Sequence, residues 1–241
     1  GGNTFLAGKI KLFQRLPSSY RHFEHTPSET RFIFSRKGWT KVIGFHTRNP
    51  IHRGHEYIQK KALEISGADG IYINPVAGPK KIGDFKYSHI MQSYQAMIDM
   101  KLYPVNKVLL GSFRTYSRYA GPREAVFTAL CRKNMGCSHF IIGRDHTGVG
   151  SFYHKDANKI LFDKLGDIGI TPLFFDPIAY NKKTMIYGTG SSGHNWLTID
   201  GSEIRKKINS GEPIEDFIMR KEIQDSLFKL TSYKDEMFVK K

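Results

Sequence analysis

Cysteine is scarce in this 241-residue sequence, which contains only Cys131 and Cys137. Two cysteines cannot form the disulfide framework of a small secreted protein, and without further ligands they do not make a structural zinc site. This cysteine content is typical of a protein in a reducing compartment. We therefore expect a cytoplasmic protein.

Long apolar runs are also absent, since no stretch approaches the roughly 18 apolar residues that cross a membrane. No secretory signal pattern is present either, so we expect no association with a membrane. Hydrophobic residues nevertheless make up 39% and aromatic residues 13% of the chain, which is enough for a substantial core. The length suits one large α/β domain.

Acidic residues are few, with 22 Asp and Glu against 37 Lys and Arg, and the formal net charge is +15. Such an excess is compatible with binding to nucleic acid, with an enzyme whose substrates are polyanions, and with a solvated basic surface. Charge alone does not choose among these three, so the motifs must decide.

Short apolar segments alternate with helical patterns along most of the chain. The apolar segments lie at 42–45, 71–73, 108–110, 140–142 and 173–175, and the helical patterns at about 55–66, 86–101, 121–134 and 155–165. Another helix begins after Thr26, whose capping box with Glu29 marks its start, and ends near Gly38. This alternation predicts a Rossmann-like, doubly wound parallel sheet with its ligand at the carboxyl ends of the strands.

Two common phosphate-binding signatures are missing or out of context. The sequence contains no Gly-x-x-x-x-Gly-Lys-Ser/Thr, the motif of P-loop proteins. Residues 188–193 match Gly-x-Gly-x-x-Gly, but the residues after them lack a helical pattern. We therefore interpret this segment as a flexible loop and not as a dinucleotide site.

The most informative segment is His-Thr-Arg-Asn-Pro-Ile-His-Arg-Gly-His at 46–55, between a predicted strand and a predicted helix. Two histidines three residues apart, His52 and His55, lie on one face of the first helical turn. That turn also presents unpaired backbone N–H groups and the positive end of the helix dipole. Together with Arg48, these groups suit an anion with several oxygens, such as a triphosphate.

Four further segments rich in glycine and charge follow predicted strands or open predicted helices. They are Gly-Pro-Lys-Lys-Ile-Gly-Asp at 78–84, Arg-Tyr-Ala-Gly-Pro-Arg-Glu-Ala at 118–125, Gly-Arg-Asp-His at 143–146 and Ile-Asp-Gly-Ser-Glu-Ile-Arg at 199–205. Glycine lets backbone amides approach a nucleotide closely, and Asp145 can orient His146 or accept a hydrogen bond from ribose or adenine.

These segments, in this order, resemble the motifs of ATP sulfurylase (sulfate adenylyltransferase), a family of the HxGH nucleotidylyltransferase superfamily. The resemblance covers about residues 25–230. It implies an enzyme that converts ATP and sulfate into adenylyl sulfate and pyrophosphate, with Mg²⁺ arriving bound to ATP. ATP, sulfate and pyrophosphate are then the expected partners, a homo-oligomer is a further candidate, and nucleic acid is not expected.

The resemblance also assigns candidate site residues. The candidate catalytic residues are Thr47, Arg48, Asn49, His52 and His55. The candidate ATP-binding residues are His46, Arg48, Asn49, His52, His55, Gly143, Arg144, Asp145, His146, Met185, Ser202 and Arg205, with Ser202 as a helix cap. The candidate sulfate-binding residues are His46, Arg48 and Thr147, and Lys81 and Arg118 are candidate phosphate contacts.

The chain departs from the family at His46, where glutamine is usual, and at Thr147, where alanine is most common. Either change can alter the acceptor or the rate. Two alternatives therefore remain: a nucleotidylyltransferase with another acceptor, and a catalytically weak homologue that binds nucleotide or nucleic acid. The cysteine-rich insert of many bacterial relatives has no counterpart in this sequence, so no zinc and no protein-held metal site are expected.

The resemblance divides the chain into three parts. Residues 1–25 are expected to be the junction from an N-terminal β-rich domain, 26–198 the catalytic domain, and 199–241 a small C-terminal helical subdomain and tail. The polar tail at 231–241 is expected to fray or to lead on to a further segment. An adenylyl-sulfate kinase is expected only outside these residues.

Overall fold

The central feature of the fold is a five-stranded parallel sheet. A computed structural model describes residues 4, 7–15, 17–143, 146, 152–190, 193–199, 201–229 and 237–240. The strands are β1 (Val42–Thr47), β2 (Gly70–Pro75), β3 (Val108–Leu110), β4 (His139–Gly143) and β5 (Thr171–Phe175). They lie in the order β3-β2-β1-β4-β5, and every neighbouring pair is parallel. All five were predicted from their apolar runs.

Helices cover both faces of this sheet. They are α1 (Pro27–Arg36), α2 (Arg53–Ser66), α3 (Tyr87–Asp99), α4 (Pro122–Asn134) and α5 (Ala157–Leu165). The predicted capping box is formed, because Thr26 Oγ1 accepts from the Glu29 amide at 3.2 Å while the Thr26 amide donates to the Glu29 carboxylate at 2.5 Å. The Rossmann-like, doubly wound prediction is therefore confirmed.

Successive strand residues enter two separate cores, one on each face of the sheet. Ile43 and Ile71 are buried in the core that packs against α2 and α3. Tyr72 and Phe140 are buried in the other core, which includes side chains of α1, α4 and α5. Because both faces are covered, the strands are apolar throughout instead of alternating with polar residues.

A second, smaller sheet follows β5 and was not predicted. Its strands are β6 (Ile178–Asn181), β7 (Ile186–Thr189) and β8 (Trp196–Thr198), antiparallel and in the order β7-β6-β8. The prediction of a flexible loop at 188–193 was thus wrong for Gly188 and Thr189, which pair with Ala179 and Ile178. Strands of three or four residues containing glycine and polar residues give too weak a pattern to be recognised.

Two helices near the carboxyl end complete the described structure, α6 (Gly201–Ser210) and α7 (Lys221–Lys229). After residues 230–236, which lie outside the description, Met237 and Phe238 are buried and Phe238 bridges to Phe85 in the β2–α3 loop. The expectation that the tail frays was therefore wrong for residues 237–240, because two apolar side chains dock it. Within the described residues, no helix is long and apolar enough to span a membrane.

The β2–α3 loop rests directly on the loop that precedes α4, and Gly78 permits this contact. A Cβ at Gly78 would lie 1.8 Å from the Thr115 carbonyl oxygen, a backbone atom that cannot move alone. Gly78→Ala should therefore lower the free energy of unfolding by about 1–3 kcal/mol, measured by urea denaturation. Gly143→Ala is the control, since its Cβ would meet no described atom within 4 Å. Equal midpoints for both variants would contradict the prediction.

Candidate active site

The candidate site lies where β1 and β4 run side by side. The connection through α2 leads from β1 to β2, on one side of this pair, and the connection through α5 leads from β4 to β5, on the other side. The two helices therefore pack on opposite faces of the sheet, and a crevice remains at the carboxyl ends of β1 and β4. A cavity of about 170 Å³ opens there, the β1–β4 cavity. It is lined by Phe45, His46, Thr47, Arg48, Asn49, His55, Ile58, Ile141, Gly143 and His146. The structure thus brings seven of the candidate residues together.

The turn after β1 is held by its own hydrogen bonds. The Asn49 amide donates to Thr47 Oγ1 at 3.1 Å, and that hydroxyl lies 3.2 Å from the Asn49 carbonyl oxygen. The Ile51 amide donates to Ser93 Oγ on α3 at 3.0 Å. These contacts set the amino end of α2, with its positive dipole, beside the cavity. The expectation of unpaired amides there was wrong for two residues, because the Arg53 amide donates to the Ile218 carbonyl at 2.9 Å and the His55 amide donates to His52 Nδ1 at 3.3 Å.

His52 and His55 stack on each other, with ring centroids 3.8 Å apart. His52 is the N-cap of α2, and its Nδ1 accepts from the His55 amide at 3.3 Å, so a neutral His52 carries its proton on Nε2. His55 Nδ1 lies 3.3 Å from the Tyr94 hydroxyl. Burial lowers the pKa of His52 to about 3 and the pKa of His55 well below 6.5. Both rings are therefore neutral at pH 7.

The amino end of α6 approaches the same turn. A Cβ on Gly201 would lie 2.7 Å from Asn49 Nδ2, so a larger residue here would displace the Asn49 amide group. Arg205, one turn into α6, donates to Asp84 at 2.9 Å and to the Ser202 hydroxyl at 3.3 Å. Ser202 lies inside α6, which starts at Gly201, and not at the cap position that was expected.

Arg48 is positioned by a tyrosine and a carboxylate. Its Nη1 donates to the Tyr119 hydroxyl at 2.7 Å and lies 3.9 Å from Asp84 Oδ2. The same carboxylate pairs with Arg205 at 2.9 Å. One carboxylate between two arginines leaves a net positive charge beside the cavity, and such a site favours an anion.

Arg132 on α4 is fully buried and was not recognised from the sequence. It occupies the space beside Gly44, where a Cβ would lie 2.5 Å from Arg132 Cγ. Its Nη2 lies 3.0 Å from His46 Nδ1 and donates to the Asn74 carbonyl at 3.3 Å, and its guanidinium stacks on Phe113 at 4.1 Å. Because arginine has no acceptor, His46 Nδ1 must accept, and a neutral His46 carries its proton on Nε2.

His46 is therefore a neutral hydrogen-bond donor held in one orientation. Burial, and next the charge of Arg132, lower the pKa of His46 well below 6.5. Its Nε2 is buried without a hydrogen-bond partner among the described residues. A sequence signal for Arg132 existed, because it shares one helical face with the buried Ala125 and Ala129.

His146 completes the described lining from the β4 side. Its Nε2 lies 3.0 Å from the Thr128 hydroxyl, and its ring centroid lies 5.4 Å from that of His46. Burial lowers the pKa of His146 to about 3. The other candidates of this segment, Arg144, Asp145 and Thr147, lie outside the described residues.

The structure does not bring Arg118 into this group. Its guanidinium lies between the Tyr116 and Phe127 rings, 4.3 and 4.4 Å from their centroids, and donates to the Thr115 hydroxyl at 3.2 Å. Its backbone amide donates to Glu124, the buried first-turn carboxylate of α4. The described contacts of Arg118 therefore order the loop before α4.

Two further candidates lie outside the β1–β4 cavity. Lys81 places its Nζ 3.3 Å from the centroid of the Tyr119 ring, on the loop between β2 and α3. Met185 lies in the turn between β6 and β7 with a φ of 56°, and it is 73% exposed. The described contacts do not connect Met185 to the other candidates, so its role remains a prediction.

Comparison with known proteins gives a consistent picture. A model of the ATP-sulfurylase family matches residues 21–230. Sulfate adenylyltransferase of Symbiobacterium thermophilum is 43% identical over 221 residues, which cover 88% of this chain and 54% of the relative. That of Pyrococcus abyssi is 40% identical over 230 residues, covering 93% and 59%. The chain thus spans little more than half the length of these relatives.

Solved structures of low sequence identity share the fold. A hexameric APS kinase from Thiobacillus denitrificans superposes with a TM-score of 0.68 at 21% identity, covering 90% of this chain and 41% of the other. Plasmodium falciparum nicotinic acid mononucleotide adenylyltransferase superposes with a TM-score of 0.50 at 13% identity, covering 81% and 98%. At these identities the likeness concerns the α/β fold alone.

Substituting His146 with glutamine should reduce by about one the number of protons that the protein takes up on unfolding at mildly acidic pH. A buried histidine with a lowered pKa contributes stability that is complete above about pH 6.5 and is lost as the pH falls toward its folded pKa. In the parent protein the free energy of unfolding should therefore fall below pH 6.5, and the variant should reduce that slope by about 1.4 kcal/mol per pH unit. Urea titrations between about pH 4.5 and 7.5 measure the slope.

The matched control for this experiment is His154→Gln, because the His154 side chain is 70% exposed. Its slope should equal that of the parent protein. A slope unchanged by His146→Gln would show that His146 is not buried in its neutral form.

Without the guanidinium of Arg132, His46 should no longer be held in a single tautomer. In the parent protein, ¹⁵N–¹H correlation of the imidazoles should show His46 protonated on Nε2, since Nδ1 accepts from Arg132. Arg132→Leu should give a mixture of tautomers, and Lys133→Ala, the neighbouring substitution, should not. A parent spectrum with the proton of His46 on Nδ1 would contradict the assignment.

Proposed function

The chain belongs to the ATP-sulfurylase family, and we propose that its β1–β4 cavity transfers an adenylyl group from ATP to sulfate. A sulfate oxygen attacks the α-phosphorus in line. The bond between the α-phosphorus and the oxygen that bridges the α- and β-phosphates breaks, and pyrophosphate leaves with that oxygen on the opposite side. The products are adenylyl sulfate and pyrophosphate. The observation that carries this proposal is the convergence of Arg48, His46, His55 and His146 on one cavity at the switch point of the sheet.

The reaction needs positioning and charge compensation more than acid–base chemistry. Sulfate is already ionised at neutral pH, so its attacking oxygen has no proton to lose. The difficulty is to bring two anions together, and fixed donors and cations reduce that cost. Arg48 supplies the charge, and its orientation by Tyr119 and Asp84 means that little reorganisation is required when the anion binds.

The sulfate subsite is assigned to His46, Arg48 and Thr147. Arg48 contributes the positive charge and His46 contributes the neutral Nε2–H that Arg132 orients. A neutral donor can hydrogen-bond an oxyanion without a change of protonation state, so sulfate binding at His46 should not depend on pH near neutrality. Thr147 follows the β4 segment and is proposed to contribute its backbone N–H.

The triphosphate is assigned to Thr47, Asn49, His52 and His55 with the amino end of α2. Each neutral imidazole has one N–H to donate, while the helix dipole favours the negative charge that develops as pyrophosphate leaves. At the other end of the nucleotide, Gly143, Arg144, Asp145, His146 and Met185 are proposed to hold adenosine. Ser202, on the first turn of α6, and Arg205, one turn into the helix, are proposed to hold phosphate.

Magnesium is proposed to enter as part of the substrate, MgATP, because phosphate oxygens are its usual ligands. Within the described part of the chain, no group of three or more His, Cys, Asp or Glu side chains is placed to hold a metal ion.

The other proposals follow from the family: a cytoplasmic protein, a catalytic domain at 26–198 between a junction at 1–25 and a helical subdomain at 199–241, and a homo-oligomer. An N-terminal β-rich domain and an adenylyl-sulfate kinase are proposed only for the longer protein.

A second candidate is adenylyl transfer to another acceptor, and it is motivated by His46, which stands where the family usually has glutamine. Glutamine offers both a donor and an acceptor at this position, whereas a His46 held by Arg132 offers only a donor. An acceptor that carries a proton on one oxygen could accept from the His46 N–H through another oxygen, but His46 offers no acceptor for that proton. A fully ionised oxyanion such as sulfate is compatible with the donor.

The test of the proposed function is pyrophosphate release from MgATP measured with sulfate, with molybdate and with no oxyanion. Sulfate should stimulate release, and His52→Ala and His55→Ala should each lower kcat by about 100-fold or more, as loss of a transition-state donor does. His154→Ala, at an exposed histidine, is the control and should leave the rate unchanged. Release that does not respond to sulfate would overturn the proposal, and stimulation by molybdate alone would support another acceptor.

A further inference from the structure

A second cavity, of about 370 Å³, adjoins the first and shares Arg48 with it. It lies between the β2–α3 loop and the loop before α4, and we name it the loop cavity. Its lining includes Val76, Pro79, Lys80, Lys81 and Tyr119 in addition to Arg48. Its volume is within the range of small-molecule sites. A group bound there can therefore be continuous with a ligand of the β1–β4 cavity.

The ammonium group of Lys80 is the unusual feature of the loop cavity. Its Nζ is buried and has no hydrogen-bond partner among the described residues. Asp84 is a carboxylate in the lining of the loop cavity, but its two oxygens are engaged with Arg205 at 2.9 Å and Arg48 at 3.9 Å. A buried charge without a hydrogen-bond partner is costly, and a bound anion would compensate it.

The electrostatic surroundings of Lys80 strengthen this argument. Burial lowers the pKa of Lys80 to about 8, the charge of Asp84 opposes that shift, and the charge of Arg48 adds a smaller lowering. The other charged group in the lining is Lys81, and Arg205 reaches Asp84 from α6. The loop cavity therefore has an excess of cations over its single carboxylate, and an anion would raise the pKa of Lys80 again.

Lys81 is the lysine that the family motif selects, yet it already has a partner. Its Nζ lies 3.3 Å from the centroid of the Tyr119 ring, a cation–π contact, and its residue is exposed. Two adjacent lysines thus have different environments. Of the two, only Lys80 presents a buried ammonium without a hydrogen-bond partner among the described residues.

We propose that the loop cavity binds a diphosphate group and that Lys80 is its principal cation. The assignment rests on the proposed function only for the source of that group, which is either the terminal phosphates of ATP or free pyrophosphate. A diphosphate matches the site because it carries several negative charges, and Arg48, Lys80 and Arg205 surround one carboxylate. The shared Arg48 would then lie between the reacting oxyanion and the leaving group.

The direct test is calorimetric titration with inorganic pyrophosphate, which needs no turnover. The parent protein should bind pyrophosphate, Lys80→Met should weaken binding at least tenfold, and Lys81→Met, at the lysine that the family motif selects, should weaken it less than threefold. Equal losses for the two variants, or an unchanged affinity for Lys80→Met, would overturn the proposal. The proposal would also be overturned if Lys80→Met lost sulfate binding and kept pyrophosphate binding, because the loop cavity would then hold the acceptor.

Two further readouts separate ligand binding from a structural role. Pyrophosphate binding by the parent protein should take up protons above about pH 8, seen as a buffer-dependent enthalpy, and Lys80→Met should abolish this uptake. Lys80→Met without ligand should be at least as stable as the parent protein, since it removes an unpaired buried charge. A destabilised variant with unaltered proton uptake would show that Lys80 has only a structural role.

Titration with ATP in place of pyrophosphate distinguishes the two sources of the diphosphate. If Lys80→Met lowers the affinity for both ligands, the site binds the terminal phosphates of ATP. If the variant lowers the affinity for pyrophosphate alone, the site binds the free product. Both outcomes support the loop cavity. Neither depends on whether sulfate stimulates pyrophosphate release, so failure of this inference and failure of the proposed function are separate results.

Discussion

The parallel pairing of β1 with both β2 and β4 is the constraint on which the site depends. Because α2 and α5 cover opposite faces of the sheet, the chain leaves β1 and β4 toward opposite faces, and a crevice remains between the carboxyl ends of these two strands. The turn at residues 47–52 and His146 reach this crevice only because their strands are neighbours. The adjacent β2 end adds the loop cavity, which shares Arg48 with the first.

Positive charge is concentrated at these strand ends with little negative charge to balance it. Arg48 and Arg205 share the carboxylate of Asp84, and Arg132 is buried against an imidazole and a carbonyl instead of a carboxylate. The histidines add donors without adding charge, because burial keeps His52 and His146 neutral. Such an arrangement costs folding stability and favours binding of anions, a trade that active sites commonly make.

Much of the fold could be predicted because its signals are local. The Thr26 capping box and the apolar run of β1 each depend on a few consecutive residues, and the structure contains both. The small sheet β6–β8 could not be predicted, since its strands of three or four residues are defined by antiparallel partners and not by their own pattern. The docking of Phe238 on Phe85 likewise joins residues more than 150 positions apart, which no local pattern reveals.

For the site, the sequence by itself determined which functional groups stand at each strand end, because the motifs place arginine, histidine and glycine at turns whose position follows from the strands. It could not rank them. Only the tertiary structure decided that Lys80 and not Lys81 has the buried ammonium, and that Arg132, 86 residues after His46, selects the tautomer of that ring. The physical reason is that burial and charge compensation depend on distant segments packing together, whereas spacing along the chain records only the order of the residues.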